Sequence, residues 1–303
     1  MREVGHEAAL AAPSTLLDIE GQGFAAGFAR DPMSVRHNLV GHPLLTLEAI
    51  AELADSMPLK SIERHRADLP LVMPDGAPDV EGPPSETVRG IESNGCWMVL
   101  WYIEQNPAYA DLLDACLDEA AAYLGDREGG MCQREGFLFL SAPGAVTPVH
   151  FDPEHNFLLQ IKGMKDMHVC RFPDRESELR ELDRYHDGAH RNLEAVPSEG
   201  KLFRMHPGDG VYVPSFMPHW VQNGDEASIS LSITFRTRTS RRHERVHRIN
   251  ARMRRLKISP TPAGVSERRD RAKEALHFAT RGWGSRLRSV KRLATGRGRA
   301  ETG

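Results

Sequence analysis

The sequence predicts a mainly β protein with flanking helices, its strands closed into a sandwich or barrel. Three observations predict it. Between about residues 131 and 238, short apolar runs alternate with turns rich in Gly and Pro. Helical spacing is confined to segments on either side of that region. His150-Phe151-Asp152 is followed far along the chain by His219. Only a sandwich or barrel brings two such distant β segments together at their ends, and a barrel mouth is a usual ligand site.

Each element follows in order. Residues 1–30 lack periodicity and read as a poorly ordered lead-in. Residues 31–130 read as an N-terminal region of helix and strand packing on the barrel. Within it Leu44, Leu45, Leu47, Ile50, Ala51 and Leu53 recur at helical spacing. Residues 66–89, rich in Pro, Gly and Asp, read as a loop. The apolar run 97–102 fits a strand or the start of a buried helix. Over 109–124, Leu112, Leu113, Cys116, Leu117 and Ala120 form a helical stripe that Gly125 stops.

Residues 131–238 read as the barrel core. Strands are expected over 136–141, 147–152, 156–161, 166–172, 201–205, 210–213 and 227–236, with a long polar loop over 173–200. Residues 239–294 read as a basic helical region able to dimerise. Val246, Ile249, Met253 and Leu256 share one face of its first helix, and Pro260 and Pro262 break it. Ser266 can cap a second helix on which Ala272, Ala275, Leu276 and Ala279 cluster. Trp283, Leu287, Val290 and Leu293 suggest a third stretch, and 295–303 read as a disordered tail.

The 303 residues suffice for one large or two small domains. No apolar run reaches the roughly 18 residues of a membrane span, and no secretory signal is visible, so a cytoplasmic protein is expected. Cys96, Cys116, Cys132 and Cys170 have neither zinc nor disulfide spacing. The net charge of −3 hides a division: from Arg236 onward there are 21 basic and 5 acidic residues, before it 18 and 37. Such asymmetry fits a tail that meets an acidic partner or nucleic acid, or two complementary surfaces within one fold or dimer.

The chemistry lies in the His-x-Asp…His pattern. Two histidines and one carboxylate form the facial triad that holds non-haem Fe(II) and leaves positions open for substrate and dioxygen. In an extended segment residues i and i+2 share a face. His150 and Asp152 then point into one cavity, with Phe151 turned away, and His219 closes the apolar segment that begins at Val211. Taken alone, the pattern also fits another divalent metal, or a His-Asp pair with no metal at all. His155, His168 and His206 read as structural or surface residues, and Trp220 as packing beside the ligand.

The run from Thr147 through His150, Asp152, Asn156 and Gly163 to Lys165 resembles the core motif of JmjC-type, cupin-like Fe(II)/2-oxoglutarate-dependent oxygenases. It looks most like the factor-inhibiting-HIF (asparaginyl hydroxylase) branch. Pro207-Gly208-Asp209, Val213-Pro214, Pro218-His219-Trp220 and Ser232-Ile233-Thr234-Phe235 continue the resemblance, which covers about residues 90–237. It implies a double-stranded β-helix, a jelly-roll barrel with C-terminal helices that dimerise. It implies iron ligation by His150, Asp152 and His219. Lys165 and Thr147 match residues that hold the distal carboxylate of 2-oxoglutarate, Asn156 one near its metal-bound end, and Tyr102 loosely a tyrosine on the distal carboxylate. Thr234 stands where the nearest relatives carry asparagine. The implied activity is hydroxylation of a C–H bond, with dioxygen consumed and 2-oxoglutarate decarboxylated to succinate. The expected substrate is a protein or peptide side chain. A small-molecule hydroxylase, or a silent cupin that binds partners through its basic tail, are the alternatives.

Overall fold

The computed structural model describes residues 15–67, 71–72 and 81–280. In chain order the elements begin with β1 (Leu17–Asp18), α1 (Gly21–Gly27), β2 (Met33–His37), α2 (Leu47–Ser56), β3 (Ile62–Arg66), α3 (Pro84–Arg89), β4 (Cys96–Trp101) and α4 (Pro107–Leu124). There follow β5 (Met131–Ser141), β6 (Val146–His150), β7 (His155–Lys162), β8 (Lys165–Cys170) and α5 (Arg175–His186). The last are β9 (Gly200–Met205), β10 (Asp209–Val213), β11 (His219–Asn223), β12 (Ser228–Thr237) and α6 (Arg238–Arg255), with a further helix over 267–280. The longer sheet runs β1-β2-β10-β7-β12-β5-β4-β3 and the shorter β6-β11-β8-β9, with every pairing antiparallel. This is a jelly roll: two facing antiparallel sheets, mainly β, with helices outside.

The core is layered. Between the sheets lie Leu158, Met167, Val169, Phe203, Val213 and Val221. On the outer face of the longer sheet, Phe24 of α1, Ile50 of α2 and Leu113 and Leu117 of α4 pack on Leu138, Phe157, Tyr212 and Ile233. Every residue of β7 but Lys162 is buried, because this central strand is covered on both faces. Each such apolar side chain contributes about 1.5–3 kcal/mol on burial. Close approach of α4 depends on Gly136, where a Cβ would meet a Leu113 methyl at 2.4 Å. The caps are encoded as well. Asn106 accepts the Ala108 N–H at 3.0 Å before α4, and Thr237 and Ser240 form a reciprocal capping box before α6.

Several expectations are corrected. Residues 15–30, expected in a loose lead-in, hold β1 and α1, with Leu17, Phe24 and Phe28 buried. The 66–89 segment includes α3, and the 173–200 segment includes α5, which Asp174 caps by accepting the Ser177 N–H at 2.7 Å. β11 was not expected. His219 does not close the segment that begins at Val211; Val211–Val213 lie in the longer sheet, and 214–218 cross to the shorter one. The 267–280 helix turns its alanine stripe outward and buries Asp270, Lys273 and His277. Polar pairing sets that orientation: Lys273 donates to the Thr261 carbonyl at 2.5 Å, Asp270 accepts the Gly264 N–H at 2.8 Å, and Glu274 pairs with Arg242 and Arg245.

The arginines of α6 explain part of the charge asymmetry. Arg236 pairs with Glu154 and Glu244, Arg248 with Glu244, Arg254 with Asp183 and Arg255 with Asp187. The basic helix thus meets acids of α5 and its C-cap, while Arg236 of β12 joins the helix's Glu244 to Glu154 beside the barrel. Among the described residues, no helix is long and apolar enough to cross a membrane. The stretch 283–293 and the tail 295–303 lie outside the described residues, as do 1–14.

Candidate active site

β6 and β11 lie side by side, with His150 directly across from His219. Directly opposed residues of antiparallel strands share a face, so both imidazoles project between the sheets. Their ring centroids are 4.3 Å apart. Asp152 lies two residues beyond the end of β6, where its carbonyl accepts the Phe216 N–H at 2.6 Å. Its Oδ2 lies 3.8 Å from His150 Nε2 and 3.5 Å from His219 Nε2. Among the described residues these three make the one cluster of potential metal donors, all within 4.8 Å of one another. Donors held about 2.1 Å from one ion at right angles lie about 3 Å apart, so little closure is needed.

The tautomers suit a metal. His150 Nδ1 lies 2.8 Å from the Pro148 carbonyl and His219 Nδ1 2.9 Å from the Met217 carbonyl. A carbonyl only accepts, so each Nδ1 carries a proton, and each Nε2 faces Asp152 and the cavity. Burial, then neighbouring His219, push His150 down to about 3, which keeps it neutral near pH 7. Burial pushes the Asp152 carboxyl up, but neighbouring positive charge, the Arg191 guanidinium first, holds the group well below the usual carboxylate range. The donor set is therefore two imidazoles and one carboxylate, the ligand chemistry of Fe(II). Phe151 turns away into a cluster with Val149, Leu182 and Leu193.

Lys165 begins β8 after the turn at Gly163 (φ 70°). It shares an inward face with Met167 and Val169 while Asp166 and His168 face outward. It is 3% exposed, and its ammonium has no hydrogen bond or ion pair among the described residues. Burial alone pushes it down to about 7. Directly across, Asn223 leaves its buried Oδ1 without a partner. An unpaired cation inside a barrel is costly, and a dicarboxylate's far end would satisfy it. Thr147 lies across from Val221. Asn156 is buried on β7, across from Thr234, and its Oδ1 accepts the Ser232 hydroxyl at 2.8 Å. The Thr234 hydroxyl donates to the Glu135 carbonyl at 3.3 Å. Tyr102 is 43% exposed and stands at a cleft rim, where its ring meets Trp101 and Phe137 and nothing ties it to Lys165.

That cleft, about 270 Å³, opens onto His150 and Asp152 between Tyr102, Phe137, Tyr185 and Arg191. It also exposes residues that pattern reading missed. Arg191 pairs with Asp152 from the insert between β8 and β9. Glu154, paired with Arg236, is pushed up to about 7 by burial in spite of that partner. Glu154 was visible beside the triad; Arg191 lies in a polar run with no spacing to single it out. Trp220 turns to the outer face and stacks on His168 at 3.8 Å, and His155 is buried against Phe28 and Tyr212.

Comparison with known proteins agrees with this geometry. A JmjC domain family model matches residues 129–243. An X-ray structure of YcfD from Escherichia coli superposes with a TM-score of 0.53 at 17% identity, covering 87% of this chain and 68% of that one. The same protein, described as a ribosomal oxygenase in complex with cobalt and succinic acid, gives 0.51 at 16%, covering 88% and 67%. In complex with cobalt and 2-oxoglutarate it gives 0.50 at 15%, covering 88% and 67%. Residues 129–243 thus match a JmjC domain, and the His-Asp-His cluster lies within that span.

Proposed function

We propose that this oxygenase hydroxylates a C–H bond on a protein or peptide side chain. The observation that carries the reading is the pairing of two features on one inner surface. One is the His150-Asp152-His219 donor set; the other is Lys165, buried and unpartnered among the described residues. In this reading His150, Asp152 and His219 hold Fe(II), and Lys165, helped by Thr147 from across β11, neutralises the distal carboxylate of 2-oxoglutarate. Bound iron would supply oxygen activation, and 2-oxoglutarate the electrons, leaving as succinate and carbon dioxide. The chain's own part is to orient both and to exclude water. Asn156 stands near the metal-bound end of the cosubstrate, and Thr234 shapes the wall where relatives carry asparagine. Tyr102 belongs to the cleft rim and to substrate rather than to the distal carboxylate.

A protein substrate is favoured by the similarity to a ribosomal oxygenase and by the resemblance of the Thr147–Lys165 segment to asparaginyl hydroxylases. The open, mixed-charge cleft beside the triad suits a polar side chain on a longer chain. Four free thiols fit a cytoplasmic setting. Outward-facing Ala272, Ala275 and Leu276 on the 267–280 helix support a homodimer, which sedimentation at the 33.8 kDa monomer mass would remove.

Anaerobic titration with Fe(II) and 2-oxoglutarate tests the activity. A metal-to-ligand absorbance should develop, and admitted oxygen should yield succinate; Asp152→Ala should abolish both. An Asp152→Ala protein as active as wild type would defeat the assignment. Mass spectrometry for +16 Da adducts on proteins captured by that variant would identify the substrate; adducts confined to small molecules would overturn the protein-substrate part.

A further inference from the structure

We infer that Arg191 is a positioning residue for the metal cluster: delivered by the segment between β8 and β9, it fixes the Asp152 carboxylate with Oδ2 toward the two imidazoles. The inference rests on the metal-centre reading above.

Asp152 needs such a device. It lies beyond the end of β6, so no ladder bond frames it. The Phe216 amide holds its backbone carbonyl but does not set its side chain. Rotation about the bond to a carboxylate is soft and roughly two-fold, so either oxygen could face the histidines. The Arg191 guanidinium takes Oδ1 and leaves Oδ2 at 3.8 and 3.5 Å from the two Nε2 atoms.

Arg191 is itself held at both ends. Its carbonyl accepts the Phe151 N–H at 3.4 Å. Next to it Asn192 bridges to His150, and the Leu193 N–H donates to the Val149 carbonyl at 2.9 Å. This part of the insert therefore lies along β6 as a short added strand, in register with the ligands. The guanidinium sits 5.5 Å from the centre of the Trp101 ring, and the Trp101 indole N–H donates to Glu63 at 3.0 Å. Strand pairing at one end and a fixed ring at the other leave the fork little freedom.

The arrangement has an opposing term. A guanidinium beside a metal dication repels it. If pre-orientation outweighs repulsion, removing Arg191 weakens metal binding; if repulsion wins, removal tightens it. Outer-sphere partners of metal ligands are typically worth 10–100-fold in affinity, which sets the expected sign and size.

Anaerobic titration of the full chain with Co(II), read by calorimetry and by its d–d absorption, separates these cases. Wild-type protein that takes up no Co(II) would sink the metal-centre reading and this inference with it. If wild type binds, Arg191→Met should bind about 10–100-fold more weakly. Its d–d band should shift, and the metal-free protein, with Asp152 left without its counter-charge, should melt lower but still fold cooperatively. Arg191→Lys keeps the charge but not the planar fork, and should fall between the two with a shifted band. Arg191→Met that binds as tightly as wild type, or more tightly, with an unaltered band overturns the positioning role and leaves the metal centre standing. Should Arg191→Met fail to fold, Arg191→Lys decides alone. Several-fold weaker binding with a shifted band supports the role, and wild-type affinity with an unshifted band overturns it.

Discussion

Thr147 and His150 share the inner face of β6 although three residues separate them. In a regular strand that spacing puts two side chains on opposite faces. Here the β6–β11 register shifts between His219 and Val221: His150 lies across from His219, yet Thr147 lies across from Val221. His219 and Val221 are two apart and share a face, so the bulge turns Thr147 inward. On the proposed reading, one short strand therefore supplies both a threonine for the cosubstrate's far carboxylate and a histidine for the metal.

Thr147→Val tests that placement. Valine keeps the shape and removes the hydroxyl, one hydrogen bond worth about 0.5–1.5 kcal/mol. The 2-oxoglutarate KM should rise about 2- to 12-fold, with Co(II) affinity unchanged. A change in metal affinity with an unchanged KM would mean the side chain points elsewhere.

Lys165→Met should separate cosubstrate binding from folding. In the folded chain burial holds Lys165 at about 7, below its ordinary 10.5. Between those two values the unfolded chain binds a proton that the folded chain does not. Stability of the cosubstrate-free protein therefore rises with pH across that window, by at most about 1.4 kcal/mol per unit from this one group. Below pH 7 both states are protonated and the cost of the buried charge is constant. Lys165→Met removes the slope and leaves the cosubstrate-free protein at least as stable near neutral pH. It also removes a charge-assisted contact worth about 1.5–3 kcal/mol, so the 2-oxoglutarate requirement should rise at least 10-fold. Urea midpoints at pH 7 and 9 with and without 2-oxoglutarate check both halves. An unchanged pH slope in the variant would show that Lys165 is not the titrating group.

What the sequence made legible follows the range of the interactions. Strand alternation and the turn residues marked most of the barrel, because period and turn chemistry are local. The triad was readable since His150 and Asp152 share two-residue spacing, and His219 follows a Pro-rich turn. β11 escapes pattern reading because its five residues carry no clear alternation of their own, and only pairing with β6 and β8 defines it. α5 escaped because its one fully buried residue is Leu182, too little for a stripe. The alanine cluster of the 267–280 helix does not tell which face is buried, because orientation there is set by Asp270, Lys273 and Glu274 finding partners outside the helix. Arg191 was invisible for the same reason: its partner is 39 residues away in the chain.

Arg236 ends β12 and clamps two carboxylates, Glu154 just past the metal loop and Glu244 on α6 at 2.8 Å. All three side chains are at most 14% exposed. Removing one member of a buried ion network strands the others without a counter-charge, which typically costs about 3–5 kcal/mol. Arg255 and Asp187, by contrast, pair at 2.9 Å with 59% and 40% exposure, and such surface pairs are worth about 0–1 kcal/mol. Arg236→Ala should therefore lower the urea midpoint sharply, and Arg255→Ala should barely move it. Because the Arg236 clamp joins the C-terminal helix to the loop behind Asp152, its loss should also expose α6 to protease before the barrel unfolds. Equal, small losses in both variants would show that the helix is held by its apolar face, through Val246 and Ile249, and not by the clamp.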